Sequence, residues 1–289
     1  RLDAGLLRVS SGIPQLESAL DTTYTPRKLG RYDLISDIAT GGMGEVHLAR
    51  LKSMEGVEKL VAIKILLPQY AANKEIVSMF VHEARIASRM NHPNICQVFE
   101  LGMEGSELFI CMEFLRGIPL TTILRSHSPA FPVSPRIAAG LIHQACVGLH
   151  YAHELKDEDG ELLELVHRDI TPSNLMLTHN GAVKILDFGL AVRKEGAVPA
   201  PDGAGGPLSG PLGTTGYIAP EQFVGVPSSE QSDVFALGVV LYVMCTGHHP
   251  FAQVGASKDV ARNIQFARPV APRDRRAMPA ELDRLIRRA

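Results

Sequence analysis

The sequence predicts an α+β protein of two lobes: a small, mostly β lobe carrying one helix, then a larger, mostly helical lobe. Three observations predict it. Short β-type runs occupy the chain from Tyr32 to Phe114. One long amphipathic helix interrupts them. Beyond Phe114 the apolar spacing becomes helical and ends in an all-round apolar run, Val234 to Cys245.

A chain of 289 residues is long enough for two lobes around a cleft. Its formal net charge of -2 excludes a global basic field for nucleic acid, so any anion site must be local. Cys96, Cys111, Cys146 and Cys245 are widely spaced in apolar runs. They read as buried thiols in a reducing compartment, not as a disulfide framework or zinc site. Val234 to Cys245 is too short to span a bilayer, and no signal peptide is visible. The first residue is Arg1, and the last, Ala289, falls inside a helical pattern. The expectation is a fragment with a truncated C-terminus, with membrane tethering through missing segments left open.

Residues 1–28 lack sustained periodicity and read as a flexible leader or linker that Thr25-Pro26 closes. Strands are expected at Tyr32–Ile38, Glu45–Leu51 and Leu60–Leu66, the first two joined by Gly41-Gly42-Met43-Gly44. A helix follows over Asn73–Met90, with Ile76, Met79, Phe80, Ala87 and Met90 as its apolar stripe. Two more strands fit Gln97–Leu101 and Leu108–Phe114. Ile137, Leu141, Ala145 and Leu149 recur every four residues, as a helix requires. Asp157-Glu158-Asp159-Gly160-Glu161 reads as an exposed turn. Gly, Pro and Ala dominate between Gly189 and Thr214, a composition that cannot bury enough surface to order itself.

The chemistry-bearing residues come in a fixed order. Ile38-Ala39-Thr40-Gly41-Gly42-Met43-Gly44-Glu45-Val46 can bring backbone N–H groups close to phosphates, although a glycine-containing hairpin explains the run equally well by itself. In Val61-Ala62-Ile63-Lys64, period two places Lys64 on one face with Ala62 and Leu66. A charge among apolar neighbours wants a partner. Glu83 lies on the apolar stripe of the following helix, where an inward carboxylate also needs one. Further on come His167-Arg168-Asp169-Ile170-Thr171-Pro172-Ser173-Asn174, Asp187-Phe188-Gly189 and Ala219-Pro220-Glu221. Asp169, Asn174 and Asp187 supply the oxygen donors that a hard divalent cation prefers.

Together these motifs resemble the eukaryotic-type (Hanks-type) serine/threonine protein kinases, in a bacterial-like form. The resemblance covers Leu29 to Ala289. It implies a bilobal kinase fold, with an N-lobe over residues 29–113 and a C-lobe over 114–289, incomplete at its C-terminal end. It implies an ATP pocket formed by Ile38, Gly41, Gly42, Gly44, Val46, Ala62, Lys64, Met112, Glu113, Leu115 and Met176, with Met112 as gatekeeper. Lys64 and Glu83 would pair and orient the ATP phosphates. Asp169 would accept or orient the proton of the attacking hydroxyl. Asn174 and Asp187 would hold Mg2+, with Mn2+ as an alternative. His167 would pack near Phe188, Asp233 would anchor the start of its helix and steady the catalytic loop, and Thr214 would contact Asp169. Gly213 to Tyr217 would form a platform beside the substrate residue. Ser209 and Thr215 are candidate autophosphorylation sites acting through Arg168. The partners implied are proteins with serine or threonine acceptors, this chain itself among the candidates, in bacterial cytoplasmic signalling, with no nucleic acid.

Three departures accompany the resemblance. Ala39 replaces the first glycine of the loop. The arginine that would pair with Glu221 is missing, which leaves that carboxylate without its expected partner. Thr171 stands where a lysine is usual. Losing one charge-assisted hydrogen bond, about 1.5–3 kcal/mol, would slow transfer by about 10- to 150-fold. An active, slow kinase is expected. The competing readings are a pseudokinase or ATP-binding scaffold, and a small-molecule kinase, against which the activation segment ending in Ala219-Pro220-Glu221 argues.

Overall fold

A computed structural model describes residues 27–52, 58–127, 132–188, 192–193, 214–252, 260–266 and 268–289. Two compact units divide the chain. The first holds the residues up to Val81 and Val98–Phe114, and the second holds His82–Gln97 and Leu115–Ala289. Residues 82–97, which the pattern places in the small lobe, group with the second unit.

The first unit is built on a six-stranded antiparallel sheet. Its strands are β1 (Arg27–Leu29), β2 (Tyr32–Thr40), β3 (Gly44–Lys52), β4 (Glu58–Leu66), β5 (Val98–Glu104) and β6 (Glu107–Glu113), in the order β1-β2-β3-β4-β6-β5. Strand β1 pairs Arg27–Leu29 with Leu34–Tyr32, so Arg27 and Lys28 belong to the sheet rather than to the leader. Three residues are too few to show a period, and this strand left no sequence signal. Strand β4 lies inside the sheet and is buried on both faces. Val61, Ile63 and Ile65 enter a core with Leu29, Tyr32, Leu34 and Phe109, while Ala62 and Lys64 take the opposite face.

Helix α1 (Lys74–Arg89) follows β4. Asn73 caps it, its Oδ1 accepting from the N–H groups of Glu75 (3.0 Å) and Ile76 (3.2 Å). Ala84, Ile86 and Ala87 on its second half are buried, and so is Glu83, at 4% exposure.

In the second unit β7 (Gly117–Pro119) leads into α2 (Leu120–Ser126) and α3 (Pro135–His153). Short strands β8 (Leu165–Val166), β9 (Leu175–Thr178), β10 (Val183–Ile185) and β11 (Val192–Arg193) come next. Helix α4 (Glu230–Thr246) follows, then α5 (Val260–Phe266), α6 (Pro272–Arg275) and α7 (Ala280–Arg288). The all-round apolar run is the interior of α4, where Ala236 to Leu241 are all buried. Helix α4 starts at Glu230, three residues before Asp233, and closes on Gly247 in the left-handed region (φ 71°). Asp233 is therefore not its cap and is available for other donors. The acidic turn is a small hairpin. A bridge joins Lys156 to Leu162, and Asp157 Oδ1 accepts from the Asp159 and Glu161 N–H groups.

Cysteine burial holds for three of four positions. Cys96, Cys111 and Cys245 are buried, but Cys146 is exposed. It lies on α3 beside exposed Val147, turned about 100° around the helix from buried Ala145. An apolar neighbourhood in sequence does not say which side of a helix a residue takes.

Candidate active site

In the first unit the glycine turn is closed by hydrogen bonds from Gly41 N to Gly44 O (2.8 Å) and from Leu67 N to Met43 O (3.0 Å). A Cβ on Gly44 would stand 2.7 Å from the Ile65 carbonyl oxygen, so this position demands glycine. Gly41 and Gly42 are exposed, and Ile38 is 45% exposed. Strand register places Val46 opposite Lys64, Ala62 opposite Met112 and Lys64 opposite Ile110. One face of the sheet thus carries Val46, Ala62, Lys64 and Met112, four residues expected around ATP. Lys64 is 9% exposed, and its Nζ lies 6.0 Å from the centroid of the Phe80 ring. Glu113 is half-buried at the end of β6.

In the second unit the metal-binding candidates are positioned by the β9–β10 hairpin. Register pairs Leu175 with Ile185, so Asn174 and Leu186 meet at its open end, and Leu186 N donates to Asn174 O at 2.9 Å. The next residue is Asp187, exposed and at φ 51°. The hairpin is held from outside as well: Asn94 Nδ2 donates to Val183 O (2.8 Å), and Ile185 N donates to Asn94 O (2.8 Å). Met176 lies on β9 and Leu115 just before β7, both half-buried.

Asp169 is half-buried. Asn174 Nδ2 donates to its Oδ2 (2.9 Å) and to its backbone carbonyl (2.8 Å), whereas Oδ1 is buried and has no hydrogen-bond partner among the described residues. Burial pushes the carboxyl above the usual range. Asp187 adds to this, while His167 and the Asn174 bond oppose it. Because the amide nitrogen of Asn174 faces Asp169, its Oδ1 points the other way, as a metal ligand would. No cluster of three or more His, Cys, Asp or Glu side chains among the described residues is arranged for a metal. Asn174 and Asp187 still offer the oxygen donors that a hard divalent cation takes, with waters and phosphate oxygens left to complete its shell.

Asp233 organises the catalytic loop. Its Oδ2 accepts from His167 N (2.9 Å) and His153 Nε2 (2.9 Å), and its Oδ1 from Arg168 N (2.9 Å). This holds Arg168 at φ 68°, an unusual conformation for a residue with a Cβ. His167 donates from Nε2 to Leu186 O (3.0 Å), and its ring lies 4.6 Å from that of Phe188. The packing role expected of His167 is what the structure has.

Thr171 is 5% exposed, and its hydroxyl bonds that of Ser173 at 2.7 Å. It braces the loop. Glu221, expected to lack a partner, accepts from the Ser232 hydroxyl at 2.7 Å. Ser173, Ser232 and His153 escaped the sequence reading, because a hydroxyl or imidazole partner has no fixed spacing to betray it. Gly189, Ser209 and the Thr214 side chain lie outside the described residues, while Thr215 is half-buried in the 3-10 turn Thr214–Tyr217.

The first unit thus holds a glycine-closed hairpin with Lys64 on the adjoining strand, and the second holds Asp169 bonded to Asn174, whose backbone carbonyl accepts from Leu186 N–H. The protein kinase domain family matches residues 32–285, and the chain belongs to that family. It is 41% identical over 246 residues to the tyrosine-protein kinase MasK of Myxococcus xanthus, covering 83% of this chain and 36% of the relative. It is 32% identical over 260 residues to the serine/threonine-protein kinase PrkC of Bacillus subtilis (90% and 37%). To the serine/threonine-protein kinase PknA of Mycobacterium tuberculosis it is 36% identical over 262 residues (89% and 56%). The chain thus spans between about a third and a little over half of the length of these relatives.

Proposed function

We propose that the chain is the catalytic domain of a bacterial ATP-dependent serine/threonine protein kinase that transfers the γ-phosphoryl group of Mg-ATP to protein hydroxyls. One observation carries this reading. Asn174 bonds Asp169 through its nitrogen and meets the Asp187 loop through its carbonyl, so that base and metal ligands share one framework. When bound, Mg2+ neutralises phosphate charge. Asn174 and Asp187 would hold it. Backbone N–H groups of the Gly41–Gly44 turn and the Lys64 ammonium would bind the phosphates. The acceptor oxygen attacks the γ-phosphorus while the bond to the β–γ bridging oxygen breaks, ADP leaves with that electron pair, and Asp169 takes or orients the hydroxyl proton through Oδ1.

Serine or threonine is favoured as acceptor by the form of the Gly213–Tyr217 segment and by the names of PrkC and PknA, whereas MasK is named a tyrosine kinase. Autophosphorylation would fall on Ser209 or Thr215. Arg168 suits the role of receiver, because its Nε is buried without a hydrogen-bond partner among the described residues. Among the described residues no helix is long and apolar enough to cross a membrane. We place catalysis in the cytoplasm, where ATP is supplied and the four thiols stay reduced.

The test is transfer from labelled ATP by the wild type and by Asp187→Ala, with phosphoamino-acid analysis. Phosphoserine or phosphothreonine from the wild type and none from the variant are expected. ATP binding without transfer by the wild type would instead make the chain a pseudokinase, and phosphotyrosine alone would reassign the acceptor.

A further inference from the structure

His249 takes no part in the chemistry above, yet it is 6% exposed and both its ring nitrogens meet backbone. Its Nε2 donates to the Gly216 carbonyl at 2.9 Å, and its Nδ1 accepts from Phe251 N–H at 3.3 Å. Contact with Gly216 is close: a Cβ there would lie 2.9 Å from His249 Nε2. The Tyr217 ring stands edge-on to the imidazole, with centroids 5.7 Å apart at 90°.

The segment that presents this donor is held by hydrogen bonds. Gly247 N bonds Val243 O (2.8 Å), and Thr246 Oγ1 donates to Tyr242 O (2.8 Å). Val239, Phe251, Val260 and Ile264 form the apolar floor, against which Tyr217 packs. A phenylalanine at position 249 would keep an aromatic ring here but could donate no hydrogen bond to the carbonyl. The imidazole adds two directed hydrogen bonds, of which the one to Gly216 fixes the peptide plane between Gly216 and Tyr217.

We infer that His249 is a positioning residue for the polypeptide substrate, holding the Gly216–Tyr217 backbone in the geometry that receives the acceptor segment. This rests on reading Gly213–Tyr217 as the substrate platform. The functional consequence is directional. Peptide binding depends on His249, and nucleotide binding does not.

The experiment measures peptide KM and ATP KM for the wild type, His249→Phe, His249→Asn and His249→Gln, with a serine/threonine-centred peptide chosen from a degenerate library. Glutamine places its amide nitrogen where Nε2 stands. Asparagine stops at the Nδ1 position and cannot reach Gly216. Loss of the bond should raise peptide KM about fivefold to tenfold in the Phe and Asn variants. ATP KM should stay within about twofold, and glutamine should restore peptide KM to within about twofold. Melting curves confirm folding, and the Asn and Gln pair suffices should Phe fail to fold. Wild-type peptide KM in a folded Phe or Asn variant overturns the inference alone, as do equal shifts in both KM values or a folded Gln variant that fails to rescue. A wild type that phosphorylates no peptide overturns the kinase reading and the inference with it.

Discussion

Asp169 carries two demands that few residues meet together. In the proposed mechanism it is buried enough to be shielded from water, yet keeps one oxygen for an incoming hydroxyl. Asn174 satisfies Oδ2, and Oδ1 remains without a described partner. Asp169→Asn should therefore lose about 100-fold or more in kcat, with ATP KM little changed, in a steady-state assay with saturating peptide. Lys64→Met should abolish most transfer, since a thioether cannot bind phosphate. A Lys64→Met variant with full activity would remove that lysine from the site. Lys64 was legible in the sequence because a charge among apolar neighbours is conspicuous, and Asp169 because of the motif it shares with the family it resembles. Glu83 on a helix stripe is the plainest case, and at 4% exposure it is buried as the stripe requires. Thr171 was legible as a departure but not as a brace. Its partner Ser173 is an ordinary exposed hydroxyl, and only three-dimensional structure brings the two to 2.7 Å.

Elements place these residues, and helix α4 does the most. From its first turn Asp233 accepts three hydrogen bonds, two from the catalytic-loop backbone. Asp233→Ala would leave the buried N–H of His167 without its acceptor, and that of Arg168 likewise. The cost should be about 2–5 kcal/mol, read as a fall in Tm of about 2–4 °C per kcal/mol together with reduced kcat. The end of the same helix leads to His249, whose pKa burial pushes down to about 4, partly offset by the bond to Gly216. The folded state therefore binds this proton less readily than the unfolded chain, where histidine titrates near pH 6.5. Stability from this group is present above that pH and is lost progressively as pH falls toward 4, by up to about 3 kcal/mol. Tm measured from pH 7 to 4 should fall less steeply for His249→Gln than for the wild type. Parallel curves would contradict the assignment. The strands and long helices were legible because periods of two and 3.6 are strong over seven or more residues. Strand β1 is too short for that test. Asp233 was expected to steady the loop after His167, and it does so through the His167 and Arg168 N–H groups, but its anchoring of the helix start was misplaced by one turn because sequence does not show where the first turn begins.

For the whole molecule, the order of elements and of motifs carried the kinase reading, and family membership over residues 32–285 agrees with it. The grouping of residues 82–97 with the second unit was not legible, since it depends on contacts of the Asn94 and Ile95 segment with β10 far along the chain. What the fold is for turns on phosphoryl transfer, and one measurement tests that most directly. The wild type and Asp187→Ala are incubated with Mg-ATP and their tryptic peptides are read by mass spectrometry. Phosphoryl groups on serine or threonine in the wild type, at Ser209 or Thr215 among others, and none in the variant, are the predicted result. Unmodified protein that also leaves added substrate proteins unphosphorylated, or equal modification of both proteins, would contradict it.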